Sequence, residues 1–302
     1  MSGSAQRGTI SLESARILTH QSFEGAQFVL RLHSPRIAAR ARPGSFAHLR
    51  CAEHLPMRRP LSIMRVEREA GWIELLYKVV GSGTEALSTR LPGESLSVLG
   101  PIGAGFELHV GRPRVLAIGG GVGIPPMVFL AEELARSGGA WKPLVLMGSE
   151  VPFPFRTRPS HILVPGVPPQ VIACLPALDD LSVPSRLASL SGFPGCYEGY
   201  VTALADHWLS ALSSAERAEV EIFACGPTPM LQAVARLAHA HGLPAQVCLE
   251  EYMACGVGGC AGCAVAVHGT EGVAMKRVCV DGPVFAAASV FPPAAQSAAS
   301  RS

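Results

Sequence analysis

A chain of 302 residues, 48% apolar and only 16% charged, can bury a sizeable core and reads as two domains plus a small module. Its net charge of +2 gives no reason to expect a nucleic-acid partner or an acidic membrane surface. No stretch approaches the roughly 20 apolar residues that span a bilayer, and residues 1–13 lack the apolar run of a secretory signal. The nine cysteines are an odd number, which argues against a disulfide framework and for a cytoplasmic setting where thiols stay reduced.

Residues 10–108 show short apolar runs punctuated by Pro43-Gly44, Pro92-Gly93 and Gly100-Pro101. Phe28-Val-Leu-Arg-Leu and Trp72-Ile-Glu-Leu-Leu-Tyr-Lys-Val-Val read as two of several strands, and the spacing predicts a small β-barrel. From Arg114 the character changes. Val115-Leu-Ala-Ile-Gly reads as a buried parallel strand, followed by a glycine turn and an apolar helix to about Ser137. Leu144-Val-Leu-Met-Gly and Glu221-Ile-Phe-Ala-Cys-Gly are further such strands, the second followed by a helix through about His241. Strand, glycine turn and helix in repetition predict a Rossmann-like α/β domain over 109–243. Its proline-rich middle, 153–199, gives no threadable pattern. A cysteine-bearing module follows over 244–286. The last stretch, 287–302, is mostly Ala, Ser and Pro and is expected to be disordered.

Three motifs precede the cysteine module. Arg58-Arg-Pro-Leu-Ser-Ile63 and Tyr77-Lys-Val-Val-Gly-Ser-Gly-Thr84 together offer a cation, a hydroxyl and a glycine-backed helix start, which suits a pyrophosphate. Gly119-Gly-Gly-Val-Gly-Ile-Pro-Pro-Met127 departs from the strict dinucleotide fingerprint. It still places a tight glycine turn (Gly119, Gly120, Gly121, Val122, Gly123) between a buried strand and a helix, and proline fits that helix's first turn. Cys225-Gly-Pro-Thr-Pro-Met-Leu231 ends a parallel strand, where ligands of open α/β sheets bind. Cys225 is read either as a core thiol or as a side chain facing a cofactor.

The late cysteines are the most specific signal. Cys255, Cys260 and Cys263 stand in a C-x4-C-x2-C loop with glycines at 256, 258, 259 and 262, and Cys279 follows after fifteen residues. This is the plant-type spacing for a 2Fe–2S cluster. Zinc is the alternative, but structural zinc sites usually pair their cysteines as two short knuckles. Cys51, Cys174, Cys196, Cys225 and Cys248 are scattered.

Arg59-Pro-Leu-Ser62, Gly83-Thr84, the Gly119–Met127 turn and the Cys225–Met230 stretch occur in the order of the ferredoxin–NADP reductase superfamily. With Glu250-Glu-Tyr-Met-Ala-Cys-Gly-Val-Gly-Gly-Cys-Ala-Gly-Cys263 and Cys279-Val-Asp-Gly-Pro-Val-Phe285, the chain resembles the electron-transfer subunits of NAD-linked dihydroorotate dehydrogenase from about residue 10 to 285. The resemblance implies an α/β plus β fold: an FAD-binding β-barrel, a nucleotide-binding domain and a C-terminal cluster module. It implies that Arg59, Pro60, Leu61 and Ser62 contact FAD, with Leu76, Tyr77 and Lys78 as a second contact and Gly83 and Thr84 holding its pyrophosphate. Thr84 would cap the following helix, and Ser62 would hydrogen-bond the flavin ring as a catalytic residue alongside Cys225. The five-residue turn at 119–123 and Cys225, Gly226, Pro227 and Met230 would frame NAD. Two departures stand out: Lys78 replaces a common arginine, and 164–195 is unusually long and proline-rich.

The expected activity is hydride exchange between NAD and FAD, coupled to single-electron exchange with the cluster, in pyrimidine biosynthesis. The implied partner is an FMN-containing dihydroorotate dehydrogenase catalytic subunit, in a heterotetramer. The alternatives are a reductase subunit serving ferredoxin, a polysulfide or an oxygenase, and a zinc-stabilised binding protein without redox function. Glu150, after the second parallel strand, suits the free ribose hydroxyl of NAD; Arg156 and Arg158 nearby argue for NADP. NAD is favoured.

Overall fold

A computed structural model describes residues 8–293. The first body is a closed six-stranded barrel. Its strands are β1 (Ser11–Phe23), β2 (Gln27–His33), β3 (Phe46–Arg50), β4 (Arg59–Glu67), β5 (Trp72–Lys78) and β6 (Ser95–Ile102). Helix α1 (Pro35–Arg40) follows β2, and α2 (Ser82–Ser88) follows β5. The barrel order is β1-β2-β5-β4-β3-β6, antiparallel throughout. Alternate side chains point inward, as the pleat requires. Ile17, Leu30, Leu32, Leu49, Ile63, Ile73, Leu75, Tyr77 and Val98 fill the interior. Tyr77 stacks on Phe28 with ring centroids 5.3 Å apart, and its hydroxyl donates to His20 Nε2 at 2.8 Å. That direction follows from the other ring nitrogen, which must donate to the Arg90 carbonyl at 2.8 Å.

The second body begins with β7 (Arg114–Gly120), a single 3-10 turn at Gly121–Gly123, helix α3 (Ile124–Arg136) and β8 (Lys142–Gly148). The proline-rich middle then folds into β9 (Arg158–Pro159), β10 (Ala173–Cys174), α4 (Pro176–Asp179), β11 (Ser185–Ser189) and β12 (Tyr197–Glu198). Next come α5 (Val201–Ala211), α6 (Ser214–Ala218), β13 (Val220–Cys225), α7 (Thr228–His241) and β14 (Ala245–Cys248). The C-terminal part adds β15 (Ala264–Gly269), β16 (Gly272–Arg277), α8 (Val278–Asp281), β17 (Val284–Ala286) and α9 (Ala287–Val290).

The main sheet has the order β12-β11-β8-β7-β13-β14-β17, parallel except for β17 at its edge. The last strand belongs to the C-terminal stretch, so the cysteine region is sewn to the α/β sheet through β14 and β17. The 2-stranded hairpin β15-β16 stands apart. Residues expected to be disordered from 287 onward begin instead with α9, whose Ala287 is buried while Val290 and Phe291 pack on the main core. Apolar contact overrides the low-complexity composition there. Residues 294–302 lie outside the described residues.

Helix α3 ties the two bodies together. Its Phe129 is buried in the barrel core. Arg65 of β4 meets Glu132 at 2.6 Å, and Arg68 clamps both carboxylate oxygens of Glu133 at 2.8 and 2.9 Å. The proline-rich segment is held around buried Asp179, which accepts from Ser160 Oγ at 2.6 Å, Arg158 at 3.2 Å and the His161 N–H at 3.3 Å. Burial opposes ionisation of Asp179, but these donors outweigh it and keep its pKa below the ordinary 3.8. Its contribution is therefore fully present above that value and is lost as pH falls through the lower folded pKa. Asp179→Asn should destabilise the segment by about 2 kcal/mol at neutral pH, the scale of lost charge-assisted bonds. Urea unfolding at pH 7 checks this, and the difference between the two proteins should shrink below pH 3.8.

Candidate flavin, nucleotide and iron–sulfur sites

The first set of residues converges at the open end of β4. Pro60, Leu61 and Ser62 are half-buried along that strand, and Ser62 pairs with Phe46 of β3. The Arg59 guanidinium lies on the backbone of Gly83 in α2: a β-carbon at Gly83 would sit 2.4 Å from Arg59 Nε. Glycine here is the condition for bringing a cation against this turn. Arg59 is also anchored by the carbonyl of Met57 at 2.9 Å. Lys78 is exposed at the end of β5. Arg59 held against the Gly83 backbone brings positive charge to this turn, the kind of contact a pyrophosphate requires.

Two expectations change here. Tyr77 is 1% exposed and its hydroxyl is spent on His20, so its side chain belongs to the barrel core, and burial pushes its pKa up. Only its backbone is available for a contact, and the Leu76 side chain is likewise buried. Thr84 does cap α2, but from the third helical position of a capping box and not as the N-cap, which is Gly81. Its Oγ1 accepts from the N–H groups of Val80 at 3.0 Å and Gly81 at 3.2 Å. The hydroxyl shapes the turn and is not free.

The second set meets at the carboxyl ends of two adjacent parallel strands. Gly119 of β7 is in register with Cys225 of β13. Gly123 packs on that strand end so closely that a β-carbon would lie 2.3 Å from the Cys225 carbonyl oxygen. Met230 spans Gly120 and Gly226, and Val122 and Gly121 are half-buried at the rim. Pro227 is exposed at the start of α7. The two glycine turns therefore form one cleft edge, at the place where α/β sheets hold nucleotides. The Cys225 thiol does not face it. It is 0% exposed and turned toward Cys248, and that contact together with burial drives its pKa well up. A catalytic role for this thiol does not fit, and only its backbone lines the turn. Arg158 is committed to Asp179 and to a short contact with Asp180, which removes one of the two arginines that argued for a phosphorylated ribose. Glu150 is exposed just after β8.

The third set is the cysteine loop. Cys263 and Cys279 are buried with their sulfurs 3.4 Å apart. Cys255 is half-buried and Cys260 exposed. Cys255 accepts backbone N–H groups of Gly259 at 3.2 Å and Val257 at 3.5 Å, and Cys260 accepts that of Gly262 at 3.5 Å. Burial works against a thiolate at Cys255. The amides of Val257, Cys260 and Gly259 and the Cys260 side chain prevail and lower its pKa to about 7. Two thiol pairs, 255 with 260 and 263 with 279, suit two irons with two thiolates each. The donor set is soft sulfur with N–H groups aimed at it, which fits an iron–sulfur group.

One residue in this region was missed from sequence: His48 of β3, fully buried beside the cysteine loop. Burial and the Arg58 charge pull its pKa down to about 4. A single histidine within Phe46-Ala-His-Leu-Arg50 carries no signal at the sequence level.

A family model described as the iron–sulfur cluster binding domain of dihydroorotate dehydrogenase B matches residues 250–291. The electron transfer subunit of dihydroorotate dehydrogenase B (NAD(+)) from Desulforamulus reducens is 34% identical over 274 residues, covering 90% of this chain and 95% of the relative. The chain belongs to this family. The corresponding subunit of Geobacillus thermodenitrificans is 31% identical over 288 residues, covering 94% and 98% of the two chains. Among solved structures, a chain of the NADH-dependent reduced ferredoxin–NADP oxidoreductase studied for flavin-based electron bifurcation aligns with a TM-score of 0.74 at 28% identity, covering 92% of this chain and 90% of that one. The ferredoxin reductase of carbazole 1,9a-dioxygenase shares the fold at a TM-score of 0.59 and 23% identity, over 78% and 67% of the two chains. Family members are flavin and iron–sulfur oxidoreductase subunits of the ferredoxin-reductase fold, and barrel, α/β sheet and C-terminal cysteine loop follow each other here in that order.

Proposed function

We propose that this chain is the electron-transfer subunit of an NAD-dependent dihydroorotate dehydrogenase of pyrimidine biosynthesis, binding FAD, a 2Fe–2S cluster and NAD. The observation that carries the reading is the pairing of the four loop cysteines, in a chain whose barrel and parallel sheet each end in a glycine-lined phosphate turn. When bound, the flavin links the two-electron chemistry of nicotinamide to the one-electron chemistry of the cluster. Arg59 and Lys78 supply positive charge for the FAD phosphates, and Gly83 lets Arg59 close on them. Ser62, half-buried on β4, offers a hydroxyl to the flavin ring. Gly119 to Gly123 and the backbone of Cys225 to Met230 bracket the nicotinamide nucleotide, with Glu150 placed to accept from a ribose hydroxyl. Cys255, Cys260, Cys263 and Cys279 hold the irons. The partner in this reading is an FMN-containing catalytic subunit, assembled as a heterotetramer in the cytoplasm, and the domains divide at about residues 108 and 243. Among the described residues no helix is long and apolar enough to cross a membrane.

A second reading, a reductase subunit for another one-electron acceptor, is favoured by the likeness to the bifurcating ferredoxin–NADP enzyme. The isolated chain separates the possibilities. It should carry about one FAD and about two irons. It should reduce an artificial dye with NADH, with NADPH at least about tenfold less efficient because a 2′-phosphate meets Glu150. It should not oxidise dihydroorotate. Equal efficiency with NADPH would defeat the NAD assignment, dihydroorotate turnover by the isolated chain would show a misplaced active site, and co-purification with a different acceptor would favour the second reading.

A further inference from the structure

His48 sits on β3 opposite Pro60, on the barrel face that carries Phe46 rather than Ala47 and Leu49. Its neighbours in the pleat point into the barrel; His48 points out, toward the cysteine loop. The contact is close. A β-carbon on Gly256, the residue after Cys255, would lie 2.7 Å from His48 Nδ1. Gly256 has a φ of +68°, so the loop turns there in a conformation suited to glycine and lays its backbone against the ring. The side chain is 0% exposed. The carbonyls of Met253 and Arg58 are near enough to favour its proton, yet neither ring nitrogen meets hydrogen-bond geometry with any described group. A buried imidazole whose near carbonyls, those of Met253 and Arg58, lie outside good hydrogen-bond geometry is costly and has room for a better-aligned partner. The imidazole stands between the strand pair bearing the flavin motif and the loop bearing the first cluster ligand.

We propose that His48 is a direct hydrogen-bond donor to the iron–sulfur cluster, giving a ring N–H to cluster sulfur and thereby raising the reduction potential of the cluster relative to the flavin. The inference rests on the iron–sulfur reading of the four cysteines. The physical basis is general: a donor aimed at cluster sulfur stabilises the added negative charge of the reduced form. Phenylalanine at this position keeps the ring volume and removes the donor; asparagine keeps an N–H close to the place of Nδ1.

The test uses the full chain with its cluster, produced with isotopically labelled histidine. Electron spin-echo modulation of the reduced cluster should show coupling to a histidine nitrogen in the wild type and lose it in His48→Asn. In redox titrations followed by electron paramagnetic resonance, His48→Phe should shift the midpoint of the cluster to more negative potential and leave the flavin midpoint in place. His48→Asn should recover part of the shift. If His48→Phe does not retain its cluster, the labelled wild type and His48→Asn still decide. A normal cluster signal without histidine coupling overturns the inference, as does a flavin midpoint that moves while the cluster midpoint does not. A reconstituted wild type without any iron–sulfur signal overturns the cluster reading itself, and this inference with it.

Discussion

Arg59→Ala should purify largely without flavin while keeping its iron. The guanidinium rests on the backbone of Gly83 and is the positive charge closest to that turn. Charge-assisted bonds to phosphate are worth about 1.5–3 kcal/mol, so FAD affinity should fall about 10- to 100-fold. Barrel stability should change little, because Arg59 is half-buried at the strand end and makes no ion pair among the described residues. The cluster loop lies on another part of the chain and should load normally. NADH would then be cut off from every acceptor until FAD is added in excess. Flavin and iron content, with dye reduction across an FAD titration, check all three statements. Gly83→Ala should produce the same loss by a different route, since its methyl group would displace the arginine.

Cys260→Ser should give the opposite pattern. Serine replaces a soft thiolate by a hard oxygen at an exposed loop position. Iron should fall from about two per chain to well below about one, and the visible bands of the cluster should weaken accordingly. FAD should stay bound, and NADH should still reduce both the flavin and two-electron dyes, because β4, α2 and the two glycine turns have their own cores. An unaltered iron content would count against Cys260 as a ligand.

Legibility followed how local each signal is. The cysteine loop was readable because ligand number and spacing sit within one short stretch, and the structure lays the same four thiols out in two pairs. The buried strands β7, β8 and β13 were readable from continuous apolar runs. Strand β11 was not: Ser185, Arg186 and Ser189 break the run, yet all five residues are buried. Arg186 is held there by donating to the carbonyls of Ser185 at 2.7 Å and Ile162 at 2.6 Å, and no single-sequence pattern announces that. The orientations of Tyr77 and Cys225 were also beyond reach. Both stand in motifs where resemblance suggests contact with a cofactor, but the register of their strands turns one side chain into the barrel and the other toward Cys248. His48 escaped notice for the same reason, since its meaning comes from a loop more than 200 residues away in sequence.

In the proposed reading, electrons pass between the partner and NAD by way of the cysteine loop. The most direct measurement is anaerobic stopped-flow absorbance of the complex with its catalytic partner, wild type against Cys260→Ser, started with dihydroorotate and followed at flavin and cluster wavelengths. This subunit's flavin should be reduced in the wild type, and its reduction should fall sharply in the variant, although NADH still reduces the same flavin. Reduction by dihydroorotate at the wild-type rate in the variant would contradict that reading and would make the loop a structural element only.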